Sequence, residues 1–414
     1  MLAVACVTAA PAAAQDSADQ DVSPNTSVRE RAKPEYDALG VSLGAFRLLT
    51  SARTDFVYDT NVFGEADDLK TEDAFVQSVV GAALVSTWSN RSLRLAGRVE
   101  DRRYFELDSE NRTNYNVNIE ARINTSRRNA LFATYAQARL TEFRDATQTI
   151  VGADSPVRFS TRRLVVGADF RQDRWEQRVD VSFSDIDFDD VSIGGAGSVD
   201  QDFRDSEAIG TSARIGYRVL PFVGLFVRAA YETRDYSTIQ PRLGVLQDSE
   251  TFVGAGGVFF DIAKVARADI AVGYIQRDYE DDLFFDLEGV RVDAQLEYFL
   301  SGITTLTVDF DRDIQEANIL TGGGFFLTSV GGRVDHELLR NLVLSLEGRY
   351  RQDDIFQSDQ QAENLSAGLD IEYRPRRGWR LRAGYDWRNL SPSGGLLRPA
   401  FDRHQFSLSV EFRI

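Results

Sequence analysis

Apolar and polar residues alternate with a period of two over most of the chain from about residue 40 onward. The final stretch shows it best: Phe406, Leu408, Val410, Phe412 and Ile414 interleave with Gln405, Ser407, Ser409, Glu411 and Arg413. Successive side chains of a strand point to opposite faces, so such a stretch has one apolar and one polar side. The pattern recurs upstream. Leu93, Leu95 and Val99 oppose Arg94, Arg98 and Glu100, while Tyr115, Val117, Ile119 and Ile123 oppose Asn116, Asn118, Glu120 and Arg122. Val290, Val292, Leu296 and Tyr298 oppose Arg291, Asp293, Gln295 and Glu297. Leu365, Leu369, Ile371 and Tyr373 oppose Asn364, Asp370, Glu372 and Arg374, and Trp379, Leu381, Tyr385 and Trp387 oppose Arg380, Arg382, Asp386 and Arg388.

Read this way, the chain holds about eighteen strands. Outgoing strands fall near 44–58, 91–104, 129–142, 175–187, 221–236, 265–279, 303–313, 340–353 and 378–389; returns fall near 73–87, 112–124, 157–171, 204–219, 249–262, 287–300, 325–338, 361–374 and 402–414. Sixteen is the alternative, if 157–171 and 175–187 are one broken hairpin. Strands of a dozen residues are long for a soluble sandwich and suit a tilted bilayer crossing. Connections alternate between tight turns, such as Gln172-Asp173 and Ala263-Lys264, and longer acidic or Gly-rich loops. The expected fold is all-β: one transmembrane, antiparallel, up-and-down barrel in which the last strand pairs with the first, since a sheet in lipid must close. Short turns and both termini should face the periplasm. Phe406, Leu408, Val410, Phe412 and Ile414 should face lipid. Arg94, Arg98, Glu100, Glu120, Arg122, Arg291, Asp293, Glu297, Asp370, Glu372, Arg380, Arg382, Asp386 and Arg388 should line the lumen.

Composition changes the picture in three ways. No run reaches the ~18 apolar residues of a membrane helix, and mean hydropathy is -0.29, yet a barrel meets lipid with only every second residue. Of 47 basic residues only Lys33, Lys70 and Lys264 are lysines, and arginine's planar fork suits fixed networks with carboxylates. The formal net charge of -17 argues against a nucleic-acid partner. The lone cysteine, Cys6, has no partner for an internal disulfide.

Residues 1–14 have the small apolar character of a signal-peptide h-region, with Ala12-Ala13-Ala14 at a cleavage-like site, but lack the positive n-region. They are read as a signal-peptide remnant. Residues 15–42 are read as a polar periplasmic segment without fixed structure through Pro34, and 43–414 as the barrel. A second rhythm marks the outer strand ends: Arg103-Tyr104, Arg144-Asp145, Arg234-Asp235-Tyr236, Arg277-Asp278-Tyr279 and Arg312-Asp313. It reads as an aromatic girdle at the membrane surface or as a charged ring at the mouth.

Arg31-Ala32-Lys33-Pro34-Glu35-Tyr36-Asp37-Ala38-Leu39-Gly40, followed by Leu43-Gly44-Ala45-Phe46 and Tyr58-Asp59-Thr60-Asn61-Val62-Phe63, resembles the entry segment of the putative beta-barrel porin 2 family. The likeness runs from residue 29 to 414. It implies a Gram-negative outer-membrane barrel and brings no catalytic residue. Some relatives accompany polysaccharide export, which leaves import and secretion both open.

Chemistry is sparse. Walker, dinucleotide, zinc and nucleophile-elbow motifs are missing. Asp185, Asp187, Asp189 and Asp190, and the run Glu280-Asp281-Asp282, lack calcium-loop spacing. They read as solvated loop charge, with divalent bridging to lipid phosphates as the other role. His404 and Ser407 should lie on opposite strand faces, and His336 at the other end of the barrel, so no hydrolase site forms. The expectation is therefore no enzyme, no cofactor and no metal. The favoured function is a channel for passive diffusion of small hydrophilic solutes, narrowed by an inward loop at Phe188 to Phe203. The alternatives are the barrel component of a polysaccharide secretion system, working with a periplasmic export component, and a closed structural or adhesive barrel. Expected partners are outer-membrane lipid, lipopolysaccharide and the barrel-assembly machinery.

Overall fold

The computed structural model describes residues 26–144, 146, 149–150, 152–194, 197–317, 323–355, 358–395 and 398–414. The signal-peptide remnant at 1–14 and Asp145 lie outside them. Eighteen long strands form one antiparallel ring. They are β1 (Phe46–Asp59), β2 (Asp73–Ser86), β3 (Arg91–Tyr104), β4 (Arg112–Asn124), β5 (Asn129–Thr141) and β6 (Arg158–Gln172). Next come β7 (Trp175–Phe188), β8 (Ser206–Leu220), β9 (Val223–Tyr236), β10 (Ser249–Ile262), β11 (Ala266–Tyr279) and β12 (Leu287–Ser301). The ring ends with β13 (Thr304–Ala317), β14 (Gly323–Leu339), β15 (Leu342–Ile355), β16 (Gln361–Tyr373), β17 (Trp379–Ser393) and β18 (Phe401–Arg413). Each strand pairs with its successor, and β18 pairs with β1, with Tyr58 opposite Phe406, Phe56 opposite Leu408 and Thr54 opposite Val410. The expectation of eighteen strands in a closed ring holds, and 157–171 and 175–187 are two strands, not one broken hairpin.

The seam has an addition that alternation did not announce. Pairing of β18 with β1 ends where Thr50 and Ile414 exchange backbone hydrogen bonds, and the short segment Val41–Leu43 folds back on Phe46–Leu48 to cover the edge beyond. Uncovered backbone donors and acceptors would otherwise face a bilayer that offers no water. Two turns, at Asp173 (φ 52°) and Lys264 (φ 62°), use the left-handed region without glycine. Tight hairpins demand that twist, and both side chains are exposed there.

Register fixes the faces. Val80, Val99, Tyr115, Val179, Val181, Ile215, Leu225, Val227, Phe252 and Val272 occupy one face as cross-strand neighbours, and all are exposed. On β18 the same face carries Phe406, Leu408, Val410 and Phe412, with Leu408 63% exposed. A soluble protein would bury such a continuous band; an outer-membrane barrel gives it to lipid. The opposite face, toward the barrel axis, carries most of the charge.

One end of the ring, called the turn end, has two- to five-residue connections and the sequence around residues 40 and 414. The other, the loop end, has the long connections. Hairpin β13–β14 reaches further at the loop end than alternation suggests, to Ala317 and Gly323.

Candidate functional site

The inward face of the wall is a lattice of arginines and carboxylates. Arg94 meets Glu120 at 3.9 Å, Arg98 meets Glu100 at 3.4 Å, and Arg122 reaches over β5 to Asp169 at 2.6 Å. Further round, Arg228 reaches over two strands to Asp293 at 3.3 Å, Arg291 meets Asp313 at 3.1 Å, and Arg267 pairs with Glu297. Arg382 holds Glu372 at 2.7 Å and Glu411 at 3.5 Å, while Arg380 lies 3.9 Å from Glu372. Asp370, Asp386 and Arg388 share this face by register. Arg122 with Asp169 and Arg228 with Asp293 skip strands on the concave side, where side chains converge.

Between the charges lies an arrangement that sequence reading missed. Phe226 and Phe259 point inward and lie flat over Gly257 and Gly224, their cross-strand neighbours. A Cβ at Gly224 would sit 2.2 Å from the Phe259 ring, so only glycine fits. Arg214 caps Phe226 at 3.6 Å and Arg218 covers Phe259 at 5.2 Å, as cations over aromatic faces. Laying rings along the wall covers the glycine backbone.

At the loop end the connections turn inward onto apolar residues of the wall. Leu140, Phe159, Ile186 and Phe188 receive Ile150, Ala153, Val157, Val191 and Val199. From the Phe188 to Phe203 stretch, Val191 and Val199 thus pack on inward side chains, with Val191–Ser192 paired to Ser198–Val199. A second inward group is larger. Val253, Ile275, Tyr279 and Leu287 receive Leu243 and Val245 from the 237–248 loop, Phe284, and Ile314 and Phe326 from the tip of β13–β14. Buried ion pairs tie the first group together. Arg204 (0% exposed) holds Glu142 (1% exposed) at 2.8 Å and lies 3.8 Å over Phe188. Burial works to raise the Glu142 carboxyl, but the Arg204 guanidinium outweighs it and holds the carboxyl below its ordinary value. Arg144 pairs with Glu110 at 2.5 Å, and Arg398 donates to the carbonyls of Arg144 and Thr149. Burial pushes the Asp205 carboxyl up to about 6 although the Phe188 amide donates to it.

The outer-end residues divide by parity, and here the girdle reading needs correction. Tyr104, Tyr236 and Tyr279 are buried, and they point inward with Arg234 and Arg277. Tyr104 packs on Phe75 and Tyr279 on Phe284. Two residues along a strand return to the same face, so a tyrosine two positions from an inward arginine is itself inward. Outward rings near that level include the exposed Tyr231, Tyr274 and Tyr350 and the half-buried Tyr58. Each is hydrogen-bonded to a carboxylate beside the next strand's start: Glu72, Glu250, Glu288 and Glu363. Asp235 and Asp278 point outward, opposite Glu207 and Glu250. Arg312 donates to Thr328 at 2.6 Å, and Arg277 meets Glu316 at 2.5 Å. Trp175 with Tyr217 and Trp379 with Phe412 form a matching outward belt at the turn end.

At the turn end, residues 26–37 depart from expectation. This stretch is not loose; it lies as a strap along the inner wall, touching β11, β13, β14 and β17. Val28 is 0% exposed and donates its amide to Thr305 Oγ1 at 3.1 Å. Glu30 pairs with Arg267 at 3.0 Å, Lys33 with Glu337 at 3.5 Å, and Asp37 with Arg374 at 3.1 Å and Arg380 at 3.4 Å. Arg31 donates to the Gly302 carbonyl at 2.5 Å, and Arg377 donates to that of Pro34 at 2.7 Å. Lys33 is 2% exposed, and that burial lowers its pKa.

His404 bonds Tyr385 and His336 bonds Thr304, each at 2.9 Å, and neither meets a serine–carboxylate pair. Asp190, Asp200 and Asp202 converge in an exposed loop.

A family model described as "Putative beta-barrel porin 2" matches residues 33–414. No curated protein matches the chain. Among solved structures, the Pseudomonas aeruginosa outer membrane protein OpdK is 12% identical, with 89% of this chain and 98% of that one covered, at a TM-score of 0.44. OccK2 (OpdF) from the same organism is 10% identical over 89% and 98%, at 0.48. A mutant of its ferric enterobactin receptor PfeA is 8% identical over 88% and 80%, at 0.46. Likenesses at that identity and score say nothing of what the barrel carries.

Proposed function

Because the chain belongs to the putative beta-barrel porin 2 family, a family of porin-like outer-membrane barrels, we propose that it is a channel for passive diffusion of small hydrophilic solutes. The observation that carries this reading is the inward face: a ring of eighteen strands whose axial side is charged, paired and partly flattened by glycine. Eighteen strands lie in the range that encloses an aqueous passage. The charges named for the lumen line that passage, and their mixed sign makes it weakly selective along its length. The turn end faces the periplasm and the long loops face outward, as in barrels of this kind. The barrel performs no catalysis and holds no cofactor.

Planar-bilayer recording tests the reading. Steady single-channel openings, with entry of small sugars into protein-loaded vesicles, support it. No current at any voltage rejects it and favours a closed structural barrel. A second reading has one observation in its favour. The strap lies within the turn-end mouth, where a periplasmic export component would meet it. Loss of exported polysaccharide on gene deletion, with solute uptake unchanged, would decide for that reading.

A further inference from the structure

Charge is distributed very unevenly along the barrel axis. The loop-end connections (60–72, 105–111, 142–157, 189–205, 237–248, 280–286, 318–322, 356–360 and 394–400) hold 21 acidic and 5 basic residues, a net of -16. The turn-end connections (87–90, 125–128, 173–174, 221–222, 263–265, 302–303, 340–341 and 374–378) hold 8 basic and 1 acidic residue, a net of +7. The strap adds nothing to either sum, because Arg29, Arg31 and Lys33 balance Glu30, Glu35 and Asp37. The wall between carries both signs, and many of its charges are paired.

Position makes the loop charge matter to the passage. The described parts of loops 142–157, 189–205 and 237–248 pack on apolar residues at the mouth, and Asp154, Asp190, Asp200 and Asp202 are exposed there. The turn-end arginines stand on the rim itself: Arg127, Arg174 and Arg340 are exposed residues of tight turns. A mouth lined by one sign of charge concentrates the opposite ion and excludes its own.

Resting on the channel reading, we propose that the passage is charge-polarised. Its loop-end mouth gathers small cations and admits cationic solutes first, its turn-end mouth gathers anions, and the barrel rectifies ionic current. With the loop-end side positive, each mouth feeds the ion it has concentrated into the passage, and conductance is high. With the sign reversed, both ions are drawn out, the passage is depleted, and conductance is low.

The experiment is single-channel recording of the full chain at about 0.01 M KCl, where the screening length is about 30 Å, and at about 1 M, where it is about 3 Å. A Ser126→Cys tag in a Cys6→Ser background, labelled from one compartment, tells which end faces it. The expected current ratio between opposite voltages is at least about twofold at low salt, larger with the loop-end side positive, and falls toward one at high salt. The variant Arg127→Glu, Arg174→Glu, Arg340→Glu removes three positive and adds three negative charges, taking the turn end from +7 to +1. It should lose most of the rectification while conducting as well as the parent at high salt. Equal currents at low salt in the conducting parent, or a ratio of the opposite sense, overturn the polarity and leave the channel standing. A barrel that never conducts overturns both.

Discussion

The two mouths hold their inward segments by different physics. At the loop end, connections bury apolar residues against the wall, as Ile314 and Phe326 do on Ile275 and Leu287, and one ion pair, Arg204 with Glu142, is almost wholly inside. At the turn end, the strap matches charge for charge, with Val28 as its one fully buried apolar anchor. Apolar burial is insensitive to salt, whereas the exposed strap pair Glu30 with Arg267 contributes ~0–1 kcal/mol and weakens as salt rises, the buried Lys33 with Glu337 being the exception. The contrast teaches that the loop-end cover belongs to the folded barrel, while the strap is a separable piece resting on it.

The strongest way to break that contrast is Glu142→Ala. It leaves the Arg204 guanidinium buried without its carboxylate, which costs ~3–5 kcal/mol. Hydrogen exchange should speed up through 142–157 and 189–205, with the strap unchanged; protection persisting in both loops would show that the pair is not what holds them. Glu337→Gln acts at the other mouth. Lys33 and Arg31 lose their shared carboxylate, a cost of ~1–3 kcal/mol, and protease should cut between residues 26 and 40 faster while the loops stay protected. Deleting 26–37 takes this to its limit. The barrel should still assemble, with its resistance to urea nearly unaltered, and conductance should rise; an unchanged conductance would place the strap clear of the passage.

The smallest effect is that of pH, and its sign differs between the ends. Asp205 has its carboxyl raised from 3.8 to about 6. In that window the folded loop binds more protons than the released one, so its stability falls as pH rises through it. Lys33 has its pKa lowered from 10.5. Just below 10.5 the docked strap binds fewer protons than the free one, so docking strengthens as pH rises there. Exchange rates measured across both windows check the two signs separately.

The strands were legible because lipid imposes a strict rule: every second residue must be apolar, and the alternation around Leu95, Val117 and Val292 obeys it. Three things were not legible. Parity alone could have placed Tyr236 and Tyr279 inward, since each sits two residues from an inward arginine, but the tripeptide Arg-Asp-Tyr reads more readily as one polar strand end. The flat rings of Phe226 and Phe259 depend on register with Gly257 and Gly224, which no single strand discloses. The strap is polar, with Pro34 inside it, and such composition usually stays loose. Its order comes from partners more than two hundred residues away, at Arg267, Glu337 and Arg374.

The strap's contacts run backward along the chain. Asp37 meets Arg374 and Arg380 at the β16–β17 turn, Lys33 meets Glu337 on β14, and Glu30 meets Arg267 on β11. Since the strap is tied directly to β1, these partners come within reach only when β18 has joined β1. Neighbouring strands lie ~4.8 Å apart, so a ring that closed one hairpin short would shift the row by about 10 Å and leave Lys33 opposite the wrong wall. The segment thus ties the first strand of the ring to strands that come late in the chain, on the seam side alone.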